Sequence, residues 1–336
     1  MGTGLAMHTA ETPAPRVGLV LGAGGTTGAA FHAGTLLALE QDLGWDPRTA
    51  DLIVGSSAGS IVGALLRTGL SADDLAAWGA SAVASPSGRV SRLLLDELEA
   101  VGYRITPSSL RVRLPSAGMI RRALRPSQLK MHTAVMSLLP QGWINAGESL
   151  QRLGTLREGW PQERLWITAV RVADARRVVF GREDHQATLG QAIAASCAIP
   201  AFFRPVEIGR HRYIDGGAHS PTNADLLIDA GVDVVVVLSP MSARSDALRR
   251  RPDHVLRSLF SRRLAVECQT LRNAGIEVHV FQPNAETLAV MGINALDRGR
   301  SPHVVRESFL GAGAHVSSSD TLRRALGTRV TARSHA

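Results

Sequence analysis

Apolar positions along this chain fall into two rhythms that alternate. Short apolar runs stand at residues 16–21, 52–54, 165–172, 232–238 and 277–281. Runs of Val, Ile and Leu bounded by glycine or polar residues predict strands, and unbroken ones predict a parallel sheet covered on both faces. Between them apolar residues recur at helical spacing. The pattern predicts helices over 29–39, from Ala58 through Ile61, Val62, Leu65 and Leu66, and over 189–197, 223–230 and 264–274. Ser71 reads as a helix cap. Residues 165–172 and 177–180 read as a hairpin turning at 173–176. Residues 205–208 and 212–215 read as a second strand pair. Arg249-Arg-Arg-Pro252 reads as an exposed connection, Pro283-Asn-Ala-Glu286 leads into helices, and the chain from Gly311 ends as a helix and a loose tail. Strands alternating with helices define an α/β protein.

Residues 67–142 break the alternation. Pro107, Pro115, Pro126 and Pro140 punctuate them, and arginines are interleaved with apolar residues. This favours a helical insertion with solvated arginines over a lid whose basic, apolar face meets lipid.

Composition narrows the classes. With 45% hydrophobic and 20% charged residues, the 336-residue chain fits a globular protein with ample core. The formal charge is +8, carried almost wholly by arginine, with Lys130 the one lysine. A basic surface attracts anionic lipid or nucleic acid. Aromatics are only 4% and do not interleave with the basic residues, so nucleic acid is not an expected partner. Cys197 and Cys268 form no metal-ligand spacing and read as reduced thiols, and no metal is expected. Residues 1–15 lack a charged start followed by an apolar core, and no apolar run reaches the ~18 residues of a membrane span. The expected location is cytoplasmic, with peripheral membrane contact open. Nothing in the pattern fixes an oligomeric state.

The chemistry gathers at three places. Gly55-Ser-Ser-Ala-Gly59 follows the strand at 52–54 and precedes a helix. It is a G-x-S-x-G turn, in which glycines flank Ser57 because side chains there would meet the neighbouring strand and helix. The helix behind it turns its positive end toward the serine. Gly22-Ala-Gly-Gly-Thr-Thr-Gly28 links the first strand to the first helix. Such a loop converges backbone N–H groups on an anion, either a dinucleotide diphosphate or the oxyanion of an acyl intermediate. A dinucleotide requires G-x-G-x-x-G and an acidic residue about 20 residues on, after the second strand. Here the spacing is G-x-G-x-x-x-G, and the second strand ends in the serine turn. No cofactor is expected. His32, on the first helix, reads as a packed helix residue and a minor candidate. Asp215 closes a strand and is followed by Gly216 and Gly217, which is either a common Asp-Gly turn or a carboxylate set close to other backbone.

In this order the glycine loop, the G-x-S-x-G turn and Asp215-Gly-Gly, preceded by Ala195-Ser-Cys-Ala-Ile-Pro200, resemble the patatin-like phospholipases. The resemblance spans residues 16–238. It implies a three-layer α/β/α fold with a mostly parallel sheet. Residues 1–15 would be a flexible N-terminus, 16–238 the catalytic domain with 67–142 as its variable insertion or lid, and 239–336 a mostly helical extension packed on it. It implies a serine hydrolase for fatty acyl esters of phospholipids or other lipids, of phospholipase A or esterase type. Ser57 would be the nucleophile and Asp215 the base, with oxyanion donors at Gly24, Gly25 and Thr26. Gly28, Gly55, Gly59, Gly216 and Gly217 would be the motif glycines. One position departs from the pattern: Thr27 stands where the family carries Arg or Lys. Other readings are a catalytically weak lipid-binding relative, a dinucleotide-binding protein, and a Ser-His-Asp esterase using His219, His254, His279, His303 or His315.

Overall fold

The computed structural model describes residues 14–80, 151, 159–182, 186–244, 247 and 251–333. The first strand, β1 (Val17–Leu21), feeds α1 (Gly25–Leu43). Then follow β2 (Leu52–Ser56), α2 (Ala58–Arg67) and α3 (Ala72–Gly79). Beyond residue 158 come β3 (Arg164–Arg171), β4 (Arg177–Phe180), α4 (Leu189–Ser196), β5 (Val206–Ile208), β6 (His211–Asp215) and β7 (Val234–Leu238). The chain ends with α5 (His254–Asn273), β8 (Glu277–Phe281), α6 (Ala285–Met291), α7 (Ser301–Ser318) and α8 (Asp320–Arg333).

The strands form one sheet in the order β5-β6-β3-β2-β1-β7-β8, with β4 also on β3. From β3 to β8 all neighbours run parallel, while β4, β5 and β6 add antiparallel pairings. Side chains of a strand alternate between faces, and here both faces are buried. Val17, Leu19, Leu21, Val234, Val236 and Leu238 pack on the side of α1, α2, α4 and α7. Val20, Val235 and Val237 pack on the other side with Leu227, Leu264 and Leu271. The result is a mostly parallel sheet between two helical layers, as the alternating pattern predicts.

Several helix boundaries differ from the sequence expectation, each for a local reason. α1 starts at Gly25 instead of Ala29, so half of the glycine loop is its first turn. Glycine and threonine are poor helix formers, but the Gly28 N–H bonds the Gly24 carbonyl and the Thr27 N–H bonds Ala295 from the far end of the chain. Residues 224–227 form only a 3₁₀ turn, because Asn223 takes a left-handed conformation (φ 54°). α5 begins ten residues before the expected Leu264, over a stretch whose apolar Val255, Leu256 and Leu259 face outward. The end of the chain forms α7 and α8 in place of one helix and a loose tail. Arg251 is not part of an exposed connection: it pairs with Asp253 and donates to the Leu288 and Gly292 carbonyls. Ser71 caps α3 as expected, through a reciprocal capping box with Asp74. Of the expected insertion at 67–142, residues 81–142 lie outside the described residues, as do residues 1–13 of the expected N-terminal tail.

α7 lies along α1 and fixes the C-terminal helices to the sheet. The crossing is tight at Gly34, where an added methyl carbon would sit 2.2 Å from the Val305 carbonyl oxygen. Gly34→Val should therefore prise the two helices apart and cost at least ~2 kcal/mol by overpacking. A denaturant-unfolding midpoint unchanged from wild type would contradict this packing.

Candidate active site

Three chain segments meet at the C-terminal end of the parallel strands, and the β3 register explains why. Residues 164–168 of β3 pair with β2, 167–170 with β4 and 169–171 with β6. β4 overlaps both of the others, so β2 and β6 must share the opposite edge of β3. They run toward each other and stop nose to nose: Ser56 pairs with Thr168 and Asp215 with the next residue, Ala169. Ser57 and Asp215, far apart in sequence, are delivered to one point by a single strand edge. β1 is the other neighbour of β2, with Leu21 opposite Gly55, so the glycine loop leaves the sheet beside Ser57.

Ser57 sits between β2 and α2 with φ 53° and ψ −121°. A non-glycine residue there is strained, and such strain clusters at functional turns. The flanking glycines are compulsory. A methyl carbon at Gly59 would lie 1.9 Å from the Leu21 carbonyl oxygen, and one at Gly55 2.6 Å from the Ser60 Cα. Ser60 steadies the turn, donating to the Ser57 carbonyl from its N–H (2.8 Å) and its hydroxyl (2.7 Å). The Ser57 N–H donates to the Ser196 hydroxyl at 2.9 Å, so it is not directed at a substrate.

Ser57 and Asp215 are both buried side by side. Burial pushes the Asp215 carboxyl up to about 7, while the neighbouring Ser57 side chain and a hydrogen bond from the Gly217 N–H (2.7 Å) hold it lower. Gly216 lies against β3, where any side chain would strike Thr168. The Cys197 thiol also contacts Ser57, and burial raises its pKa strongly, so it is a neutral packing group.

The glycine loop closes the group. The N–H groups of Gly24, Gly25 and Thr26 have no acceptor among the described residues. They lie at the N-terminal end of α1, where backbone dipoles favour negative charge. His32 is fully buried, with a pKa lowered by burial to about 4; its Nε2 lies 2.8 Å from the Gly22 carbonyl oxygen. It braces the loop from behind and is no base for Ser57. Thr27, at the position of the usual cation, is buried, and its N–H donates to the Ala295 carbonyl at 3.0 Å.

Sequence reasoning missed the polar layer beneath Ser57 and Asp215. Ser56 and Thr168 hydroxyls lie 2.7 Å apart, and the Asn223 amide donates to Ser56 (3.0 Å) and to the Ser220 carbonyl (2.6 Å). This buried network ties β2, β3 and the loop after Asp215 together. The visible trace of it was Thr168, a polar residue inside an apolar run. Ser196 and Cys197 lay within the quoted Ala195–Pro200 stretch, but their contact with Ser57 comes only from the fold. Of the five histidines of the triad alternative, His279 sits on β8, three strands from β2, beside Glu277, and His315 packs on Phe281. A cavity of about 370 Å³ opens among α1, β8, α6 and α7, and neither Ser57 nor Asp215 lines it. Among the described residues no group of His, Cys, Asp or Glu could hold a metal, and no helix is long and apolar enough to cross a membrane.

The sequence profile of the patatin-like phospholipases matches residues 19–228, which takes in the glycine loop, the serine turn and Asp215. The chain belongs to the patatin-like phospholipase family. Among the solved structures that match is VipD from Legionella pneumophila, at 14% identity and TM-score 0.43, covering 91% of this chain and 67% of that one. Another is the type III effector protein ExoU, at 16% identity and TM-score 0.38, covering 91% of this chain and 53% of that one. This chain thus spans about half the length of ExoU. No curated protein matches.

The raised carboxyl couples the site to stability. From about pH 4 to about pH 7 folded Asp215 keeps a proton that the unfolded chain releases, so stability falls as pH rises through that window. The span corresponds to about 4 kcal/mol. Asp215→Asn, neutral at every pH, should melt higher than wild type at pH 8, with the gap closing toward pH 4. Parallel Tm curves for the two proteins from pH 4 to 8 would argue against a desolvated carboxyl.

Proposed function

We propose that this patatin-like phospholipase hydrolyses fatty acyl esters of phospholipids or related lipids through a Ser57–Asp215 dyad. The observation that carries the reading is a strained, buried Ser57 set beside a buried carboxyl whose pKa is raised to about 7. A general base works best when its pKa lies near the working pH. Ionised Asp215 takes the Ser57 proton as Oγ attacks the ester carbonyl carbon. The oxyanion then accepts from the N–H groups of Gly24, Gly25 and Thr26, fixed dipoles in a site shielded from water. Protonated Asp215 returns the proton to the leaving alcohol, and the acyl group stays on Ser57. Water, deprotonated in turn by Asp215, releases the fatty acid and regenerates the serine.

Thr27 removes a charge from the loop but no backbone donor. Its N–H holds Ala295 and leaves the three N–H groups before it unengaged by the described residues. Catalysis therefore rests on peptide dipoles, and the loop itself offers no cation to an acidic head group.

A fluorophosphonate probe should label wild type and fail to label Ser57→Ala. In Asp215→Asn the rate should fall at least ~100-fold, the lower range for loss of a general base. Equal labelling of Asp215→Asn would assign the base to another residue. With a soluble short-chain ester, kcat/KM should rise with pH as one proton leaves a group of pKa about 7. A flat profile from pH 5 to 8 would remove Asp215 as the base.

A further inference from the structure

The same end of the sheet carries apolar side chains that the fold leaves in solvent. Val255, Leu256 and Leu259 are exposed on the first turns of α5, with Leu259 at 54%, and Ile293 is 67% exposed. Single exposed apolar residues are ordinary, but these are grouped. Val255 and Leu259 are one helical turn apart, and the stripe they begin continues through exposed Arg262 to Val266. Arg251, just before α5, donates to the Gly292 carbonyl at 3.2 Å and so binds the Ile293 loop to this helix start. Two residues on, the Ala295 carbonyl accepts from Thr27 beside the oxyanion donors. Arg257 of α5 donates to the Pro240 carbonyl at 2.8 Å, and Pro240 abuts Gly24. This apolar group is therefore built onto the glycine loop. On the other side Phe202 is 52% exposed, on the loop whose Ala198 carbonyl accepts the Asp215 N–H.

The geometry points to a docking surface for an anionic lipid bilayer, with Val255, Leu256, Leu259 and Ile293 on one side of the dyad and Phe202 on the other. Charge selects this occupant. The chain carries a formal +8, and exposed Arg262 and Arg298 beside the apolar group form no ion pair among the described residues. Apolar side chains enter the interface while arginines meet phosphate, the pairing by which peripheral proteins hold anionic membranes. The inference rests on the lipid-hydrolase reading for its purpose, since docking would set the dyad against its substrate. Binding itself needs no catalysis.

The test uses the full chain with Ser57→Ala, so that vesicles stay intact, in flotation with phosphatidylcholine vesicles with and without phosphatidylglycerol. The protein should float with the anionic vesicles, weakly with the neutral ones, and less as salt rises. Leu259→Asp with Ile293→Asp should weaken anionic-vesicle binding at least tenfold, and Phe202→Asp several-fold. All three positions are exposed, so melting temperatures should hold. In the Ser57 background these variants should lose hydrolysis of vesicle lipid and keep that of a soluble short-chain ester. Vesicle binding equal to the parent overturns the proposal. So does a parent that floats with no vesicle, or one that forms a dimer which Leu259→Asp dissolves, since the face would then meet a second copy. If the parent floats but wild type cleaves no ester, the hydrolase reading fails and docking stands. If esters are cleaved without flotation, docking alone fails.

Discussion

A carboxyl group held out of water without a charged partner is the constraint on which the site depends. Asp215 accepts a hydrogen bond from the Gly217 peptide N–H, and its other favourable neighbour is the neutral Ser57 side chain. Neither offsets the lost hydration as a cation would, so the carboxyl stays close to protonation at neutral pH. Ser57 adds backbone strain at the facing chain end. Two unfavourable features side by side persist only where the surrounding structure over-determines them.

That over-determination begins in the sheet. β3 offers one edge to two strands arriving from opposite directions, and Ser57 and Asp215 stand where their ends meet. The Ser56, Thr168 and Asn223 network fills the space beneath with satisfied polar groups. A buried network of this kind fixes geometry because each lost bond leaves an unpaired group in a medium of low dielectric. Asn223 also accepts from Arg177, which pairs with Asp225, so the layer is anchored to β4.

The C-terminal third is joined to the chemistry through backbone contacts. Ala295 holds Thr27, Pro240 presses on Gly24, and Arg251 and Arg257 pin the start of α5 to the same neighbourhood. A buried threonine bonded to a carbonyl occupies the position where the family pattern places a cation. The hydrogen bond that seats the C-terminal segment comes from the Thr27 backbone N–H, a donor that any residue but proline would supply. The apolar residues left exposed on this segment are tied to the glycine loop by the same contacts.

The sequence by itself determined the α/β class, the strands, the serine turn and the order of the three motifs. These are local matters: apolar runs make buried strands, and glycine is demanded wherever backbone passes backbone. The family followed from the same residues, because their order and spacing are specific. The sequence did not determine that α1 begins inside the glycine loop, since Ala295 supplies that hydrogen bond from the far end of the chain. Nor did it reveal Ser196, Cys197, Thr168 and Asn223 around the dyad, or turn His32 from a candidate into a brace. Only the tertiary structure decided those points. A polar residue in an apolar run looks the same in sequence whether it supports a site or merely packs, and its role is fixed by which distant chain segment folds against it.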